Sequence, residues 1–121
     1  MSIRPKVIAR VQSDLQGRFN VVDNTGDSKK VINGQFPDII LYGKESPLNN
    51  TVLFTLKIEN GAPLLDSLPA WKELGNAPFG FYIVVPKEKL PEAKQIVSVT
   101  GIKAKFASYI ISNEKVEVTY E

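Results

Sequence analysis

The chain has 121 residues with no cysteine and no histidine, and its fifteen basic and thirteen acidic side chains give a formal charge of +2. These counts exclude disulfides, thiolate nucleophiles, imidazole bases and Cys/His zinc sites within one chain, so a metal ion here would need oxygen ligands. The length and the 43% hydrophobic composition predict a single domain over residues 1–121, and the small charge neither establishes nor forbids a nucleic-acid partner.

The first half of the chain predicts one helix and three strands. Apolar residues recur at helical spacing over residues 3–16, with Pro5 in the first turn and Gly17 as the stop. The predicted strands are residues 18–23, 36–42 and 51–59. Val31 and Ile32 extend or resume the first strand, and the other two strands should form an antiparallel hairpin.

The second half alternates helices and strands. Asp66 and Ser67 supply an N-cap for a short helix that closes at Gly75 and Asn76. Nearly continuous apolar character over residues 79–85 predicts a strand buried on both faces at the centre of the sheet. The remaining predicted elements are a helix at residues 87–99 and a closing hairpin with strands at residues 104–111 and 115–120. The order α-β-β-β-α-β-α-β-β predicts the α/β class, with a mixed central sheet flanked by helices.

Polar side chains interrupt the apolar pattern of the strand at residues 51–59. Because side chains alternate faces along a strand, one apolar face should hold Val52, Phe54, Leu56 and Ile58, and the other Leu53, Thr55, Lys57 and Glu59. Same-face neighbours lie roughly 7 Å apart, which lets Lys57 and Glu59 converge on one ion or one phosphate. If Asp38 pairs with the far end of this strand, its carboxylate reaches the same region. Asp38, Lys57 and Glu59 have the side-chain types that metal-assisted phosphodiester chemistry requires.

Pro37-Asp38 and Thr55-Leu56-Lys57 resemble the motif of the PD-(D/E)xK nuclease superfamily, and the element order is similar to its restriction-endonuclease-like fold. The resemblance implies that Asp38 is a metal ligand and that Lys57 is the catalytic or phosphate-contacting lysine. It also implies Mg²⁺, or Mn²⁺, as cofactor and DNA as substrate. Glu59, one same-face step beyond Lys57, is the candidate second metal ligand in a reversed Lys-x-Glu order, which the family motif does not itself predict.

Two positions depart from the family pattern. Thr55 stands where the family has its second metal-binding acid, and a neutral hydroxyl is a poor Mg²⁺ ligand. Many relatives also carry an acid in the first helix, where this chain offers only Asp14 and no glutamate. These departures favour a weakened or lost active site.

The same residues also have a plainer interpretation. Pro37-Asp38 is a common way to start a strand. Thr55, Lys57 and Glu59 would form the solvent face of an edge strand, where lysine discourages edge-to-edge pairing. Trp71 would be a core anchor and not a base-stacking platform. On this interpretation the chain is an unrelated α/β interaction domain.

Two functions follow from the nuclease resemblance. The first is a Mg²⁺-dependent DNA endonuclease or DNA-processing subunit, with Asp38, Lys57 and Glu59 as catalytic residues and Asp38 and Glu59 as metal ligands. It would work as a homodimer, or with a partner protein that supplies specificity. The second is a catalytically degenerate module that serves DNA binding or protein assembly. No stretch reaches the roughly 20 apolar residues of a membrane helix, so the sequence predicts a cytoplasmic protein without a membrane partner.

Overall fold

The computed structural model describes residues 3–26, 30–60 and 63–121. The helices are Arg4–Leu15 (α1), Leu68–Gly75 (α2) and Leu90–Thr100 (α3). The strands are Phe19–Asp23 (β1), Ile39–Gly43 (β2), Val52–Ile58 (β3), Gly80–Pro86 (β4), Lys105–Ser112 (β5) and Lys115–Tyr120 (β6). Among these described residues, no helix is both long enough and apolar enough to cross a bilayer.

The α/β class is confirmed, but the predicted order α-β-β-β-α-β-α-β-β is not matched. Two short 3-10 helices, Leu64–Ser67 and Lys87–Lys89, stand directly before α2 and α3. Each of those α-helices has a proline in its first turn, Pro69 in α2 and Pro91 in α3. Because proline has no N–H to donate to the turn before it, that turn closes separately with shorter-range bonds.

The six strands form one mixed sheet in the order β1-β2-β3-β4-β5-β6. The β1–β2, β2–β3 and β5–β6 pairs are antiparallel, which confirms both predicted hairpins, and β3–β4 and β4–β5 are parallel, with α2 and α3 in the crossovers. β3 therefore lies inside the sheet. The interpretation of Lys57 as the guard of an edge strand is wrong.

The helices pack on both faces of this sheet. α1 buries Val7, Ile8 and Val11 against one face and contacts both edge strands, β1 and β6, so the sheet curls around it. The other face packs against α2 and α3, with Trp71 and Leu74 at the centre of the second core. Gly101 caps the C-terminus of α3, and its positive φ of 73° suits a residue without a Cβ.

β2 begins at Ile39 and not at residue 36 as predicted. Pro37 has no N–H for the ladder, and pairing starts where the Asp38 N–H donates to Leu56 O at 2.9 Å. Asp38 thus lies at the entrance to the strand. Ile32 does not extend β1. It forms a reciprocal pair of backbone hydrogen bonds with Gln35, at 2.8 and 2.9 Å, in a small turn of its own.

One predicted strand face is also corrected. Leu41 pairs with Phe54 but Tyr42 pairs with Val52, so β3 contains one extra residue at this point. Such a bulge shifts the alternation of side chains. Val52 consequently packs in the core under α2 and α3, whereas Phe54 and Leu56 pack on the α1 side.

Candidate functional site

The structure brings Asp38 and Lys57 together at the end of β3. Lys57 Nζ lies 3.6 Å from Asp38 Oδ2, and Arg4 Nε, at the start of α1, lies 3.6 Å from Asp38 Oδ1. Asp38 Oδ2 also accepts the backbone N–H of Ile58 at 2.7 Å. Only 6% of the Asp38 side chain is exposed. The carboxylate is thus a largely buried acceptor between two cations.

A polar cleft of about 320 Å³ opens over this ion-pair cluster. Its lining consists of Arg4, Asn24, Thr25, Gln35, Phe36, Pro37, Asp38 and Lys57. Asn24 fixes one wall, because its Nδ2 donates to Pro37 O at 2.9 Å and to Lys30 O at 3.0 Å. Its Oδ1 accepts the Lys30 N–H at 2.8 Å. The Phe36 ring is half exposed at the rim.

Glu59, the predicted second metal ligand, has different partners. Its Oε1 accepts the Ser67 hydroxyl at 2.7 Å and its Oε2 accepts Trp71 Nε1–H at 3.0 Å. Glu59 is 5% exposed and Trp71 is fully buried, so Trp71 is a core anchor. Ser67 occupies the N-cap position of α2 but makes no capping hydrogen bond, contrary to the sequence prediction; its backbone is already helical, with φ −93° and ψ −1°, and its hydroxyl donates to Glu59. Among the residues that the structure describes, the carboxylates of Asp38 and Glu59 share no partner.

The backbone at Glu59 is held as firmly as its side chain. The Glu59 N–H donates to Val84 O at 2.8 Å, and Tyr109 OH donates to Glu59 O at 2.6 Å. Burial, together with the smaller effect of the negative charges of Glu88 and Glu59, raises the pKa of Tyr109 to about 12. The phenol therefore stays protonated and remains a donor at neutral pH.

The carboxylates of Asp38 and Glu59 do not fit a shared Mg²⁺ or Mn²⁺ site. Asp38 already faces two cations, whose charges oppose a divalent ion beside them, and both carboxylate oxygens of Glu59 accept hydrogen bonds. Across residues 3–26, 30–60 and 63–121, no three Asp, Glu, His or Cys side chains form a group able to hold a metal ion. A bound ion thus stays a prediction from the resemblance alone.

Asp14, the acid of the first helix, does not join Asp38. Its Oδ1 lies 3.1 Å from Arg10 Nε, one turn earlier on α1, and its Oδ2 accepts Tyr120 OH at 3.1 Å. Arg4, which does reach Asp38, is at the opposite end of α1. Asp14 therefore supports the packing of β6 against α1.

Thr55 lies at the predicted second acid position and is fully buried between Ile40 and Phe81 of the adjacent strands. Among the residues that the structure describes, its Oγ1 has no hydrogen-bond partner. We expect Thr55→Val to raise the free energy of unfolding by about 1 kcal/mol, because the isosteric methyl carries no desolvation penalty. Urea denaturation measures this, with exposed Thr51→Val as the control. A stability loss in Thr55→Val would show that the hydroxyl is satisfied.

Several contacts of this region were not predicted from the sequence. Arg4 carried no signal, because its approach to Asp38 depends on how α1 crosses the sheet. The contact between Trp71 and Glu59 did have a sequence signal. A buried Trp N–H generally needs an acceptor, and Glu59 is an acid twelve positions earlier in the chain. Asn24 carried only the signal of a turn-forming residue type, although its amide group joins two segments of the cleft wall.

The arrangement at the end of β3 combines a buried, neutralised carboxylate, a half-buried lysine, an arginine and a half-exposed aromatic ring around one polar cleft. Such a set can bind an anion and stack on a planar group. The chain matches no family model, no curated protein and no solved structure.

Proposed function

We propose that this chain is a DNA-binding module of the PD-(D/E)xK type whose acidic residues serve the fold and not metal-dependent cleavage. The observation that carries the proposal is the position of Asp38, which is largely buried, accepts the Ile58 N–H and lies beside both Arg4 and Lys57. In a cleaving enzyme this carboxylate would have to turn toward a metal ion. Here its charge balances two basic side chains.

The restriction-endonuclease-like fold is part of the same proposal. It is supported by a helix that precedes a mixed sheet, and by the position of Asp38 at the entrance to β2 beside Lys57 of the adjacent β3. Thr55 supports the degenerate branch of that family, because it is a buried packing residue at the second acid position. Glu59 supports it too, because Ser67 and Trp71 occupy its carboxylate.

Single-stranded DNA is the ligand that suits the cleft best. Arg4 and Lys57 both line the cleft, and basic side chains of this kind attract a backbone phosphate. Phe36 presents a half-exposed ring beside them, and base stacking on such a ring tolerates any sequence. A backbone phosphate and one neighbouring base would therefore use the same cleft. The homodimer predicted above belongs to the endonuclease hypothesis, because two symmetric active sites would cut the two strands of a duplex.

Fluorescence anisotropy with a labelled single-stranded oligothymidylate, titrated over a range of salt concentrations, tests this function. We expect Phe36→Ala to weaken binding about tenfold through lost stacking. We expect Lys57→Gln to weaken it and to reduce the salt slope by about 0.7, the value for one phosphate contact on a single strand. Lys72→Gln, which removes an exposed lysine of α2, is the matched control and should bind like the wild type.

Cleavage assays distinguish this DNA-binding module from a metal-dependent endonuclease. Wild type and Asp38→Asn are incubated with plasmid and branched DNA in the presence of Mg²⁺ or Mn²⁺, and we expect no metal-dependent products from either protein. Metal-dependent cleavage by the wild type that disappears in Asp38→Asn would restore the endonuclease. Equal oligonucleotide affinities for wild type, Phe36→Ala and Lys57→Gln would remove the cleft as the DNA site.

A further inference from the structure

A second cleft lies near the beginning of β3, between the end of α1 and the sheet. Its volume is about 260 Å³, and its lining is mostly apolar. Four strands contribute one aromatic ring each: Phe19, Phe54, Tyr82 and Tyr120. Because the sheet curls around α1, the edge strands β1 and β6 both reach this one cleft. None of its lining residues belongs to the Asp38 cleft.

The rings that line the cleft are fixed by their contacts with one another. Phe54 packs edge to face on Phe19, with centroids 5.8 Å apart, and on Tyr82, with centroids 5.7 Å apart. Gly80 on β4 makes this possible, since a Cβ at that position would overlap the Phe54 ring. The Phe54 ring therefore lies against bare backbone, and the aromatic wall of the cleft is rigid.

Two basic side chains, Arg18 and Lys105, complete the lining, and both are exposed. The Arg18 guanidinium lies over the Phe19 ring, 5.5 Å from its centroid. Within the described part of the chain neither cation forms a salt bridge, and no acidic side chain lines the cleft. Asp14, which accepts a hydrogen bond from the lining residue Tyr120, is paired with Arg10. The cleft is thus aromatic inside and positively charged at its rim.

We propose that this cleft binds a small aromatic carboxylate, with its ring against Phe54 and Tyr82 and its carboxylate between Arg18 and Lys105. An apolar cavity of about 150 Å³ accommodates benzene, so 260 Å³ admits a fused ring system with a short side chain. The planar arginine fork matches a carboxylate, and the ring edges and faces favour an aromatic guest over an aliphatic one. The site does not depend on the DNA-binding proposal.

Isothermal titration of the full chain with indole-3-acetate, and with its neutral analogue indole-3-acetamide, tests the site. We expect the carboxylate to bind at least about fivefold more tightly than the amide, and Arg18→Gln and Lys105→Gln each to weaken only the carboxylate by about fivefold. Lys103→Gln, which removes a nearby lysine outside the cleft, is the matched control. Equal affinity for acid and amide, or no binding by the wild type, would overturn the proposal.

A second experiment blocks the cleft with a larger side chain of the protein itself. Leu15 is half-buried at the end of α1 and lines the cleft, so Leu15→Trp places an indole where the ligand ring would lie. We expect this variant to lose indole-3-acetate binding, and amide NMR signals of Phe54, Tyr82 and Lys105 to shift on titration of the wild type. Retained affinity in folded Leu15→Trp, or shifts confined to the Asp38 cleft, would overturn the assignment. If the variant does not fold, the two charge variants and the NMR shifts decide.

Discussion

Asp38→Ala should lower the free energy of unfolding by about 3 kcal/mol. The substitution leaves the buried Ile58 N–H without its acceptor and removes the carboxylate that lies between the like charges of Arg4 and Lys57. Removing one partner of a fully buried ion pair generally lowers the free energy of unfolding by about 3–5 kcal/mol. Arg4 and Lys57 are 36% and 19% exposed, so water screens part of the repulsion and the lower end of that range applies.

Asp38→Asn divides this effect into two parts. Asparagine keeps an oxygen for the Ile58 N–H but removes the charge, so we expect a smaller loss of about 1–2 kcal/mol. Guanidinium denaturation followed by the fluorescence of Trp71, the only tryptophan in the chain, measures both variants. Asp66→Asn, at an exposed position of the 3-10 helix before α2, should stay within about 0.5 kcal/mol of wild type.

The direction of the change separates the two functions of Asp38. A catalytic carboxylate is usually kept at a cost to stability, so its removal leaves the free energy of unfolding unchanged or raises it. A carboxylate that holds the start of β2 against the end of β3 lowers stability when removed. An Asp38→Ala variant as stable as the wild type would contradict the structural role and favour the endonuclease.

Strand-level features of this protein could be predicted from its sequence. Alternation and turn residues located β2 and β3, and their antiparallel pairing brought the side chains of Asp38 and Lys57 together. These predictions use short-range periodicity, which the sequence contains directly. The bulge that moves the Val52 side chain to the other face of the sheet could not be predicted in this way, because an extra residue in a strand leaves the local composition unchanged.

The partners of the predicted acids could not be predicted from the sequence, for a different reason. Glu59 follows Lys57 at the right spacing for a shared site, yet its carboxylate is taken by Ser67 and Trp71. That contact depends on how α2 packs across the sheet, and the approach of Arg4 to Asp38 depends likewise on α1. Both are tertiary contacts between separate elements. Residue type and spacing predicted which side chains have the right chemistry, but not which ones meet.

Glu59→Ala should lower the free energy of unfolding by about 3 kcal/mol. The Trp71 N–H and the Ser67 hydroxyl would both lose a charged acceptor, and Trp71 is fully buried. Loss of the Glu59 side chain also leaves a space beside α2. The backbone bonds of Glu59 to Val84 and Tyr109 remain, so the sheet itself should persist.

Glu59→Gln is the matched variant and gives the opposite expectation. A glutamine oxygen can accept the Trp71 N–H while its amide group donates to the Ser67 oxygen, and the variant no longer buries a charge. We therefore expect its stability to lie within about 1 kcal/mol of wild type and its oligonucleotide affinity to be unchanged.

A double-mutant cycle with Trp71→Phe measures the Glu59–Trp71 contact directly, and we expect a coupling of about 1–2 kcal/mol. Because Trp71→Phe removes the fluorescent reporter, unfolding of the cycle is followed by circular dichroism. Zero coupling, together with a Glu59→Gln variant that keeps its stability but loses a metal-dependent activity, would return Glu59 to the role of metal ligand. Coupling of the expected size means that this acid holds α2 on the sheet.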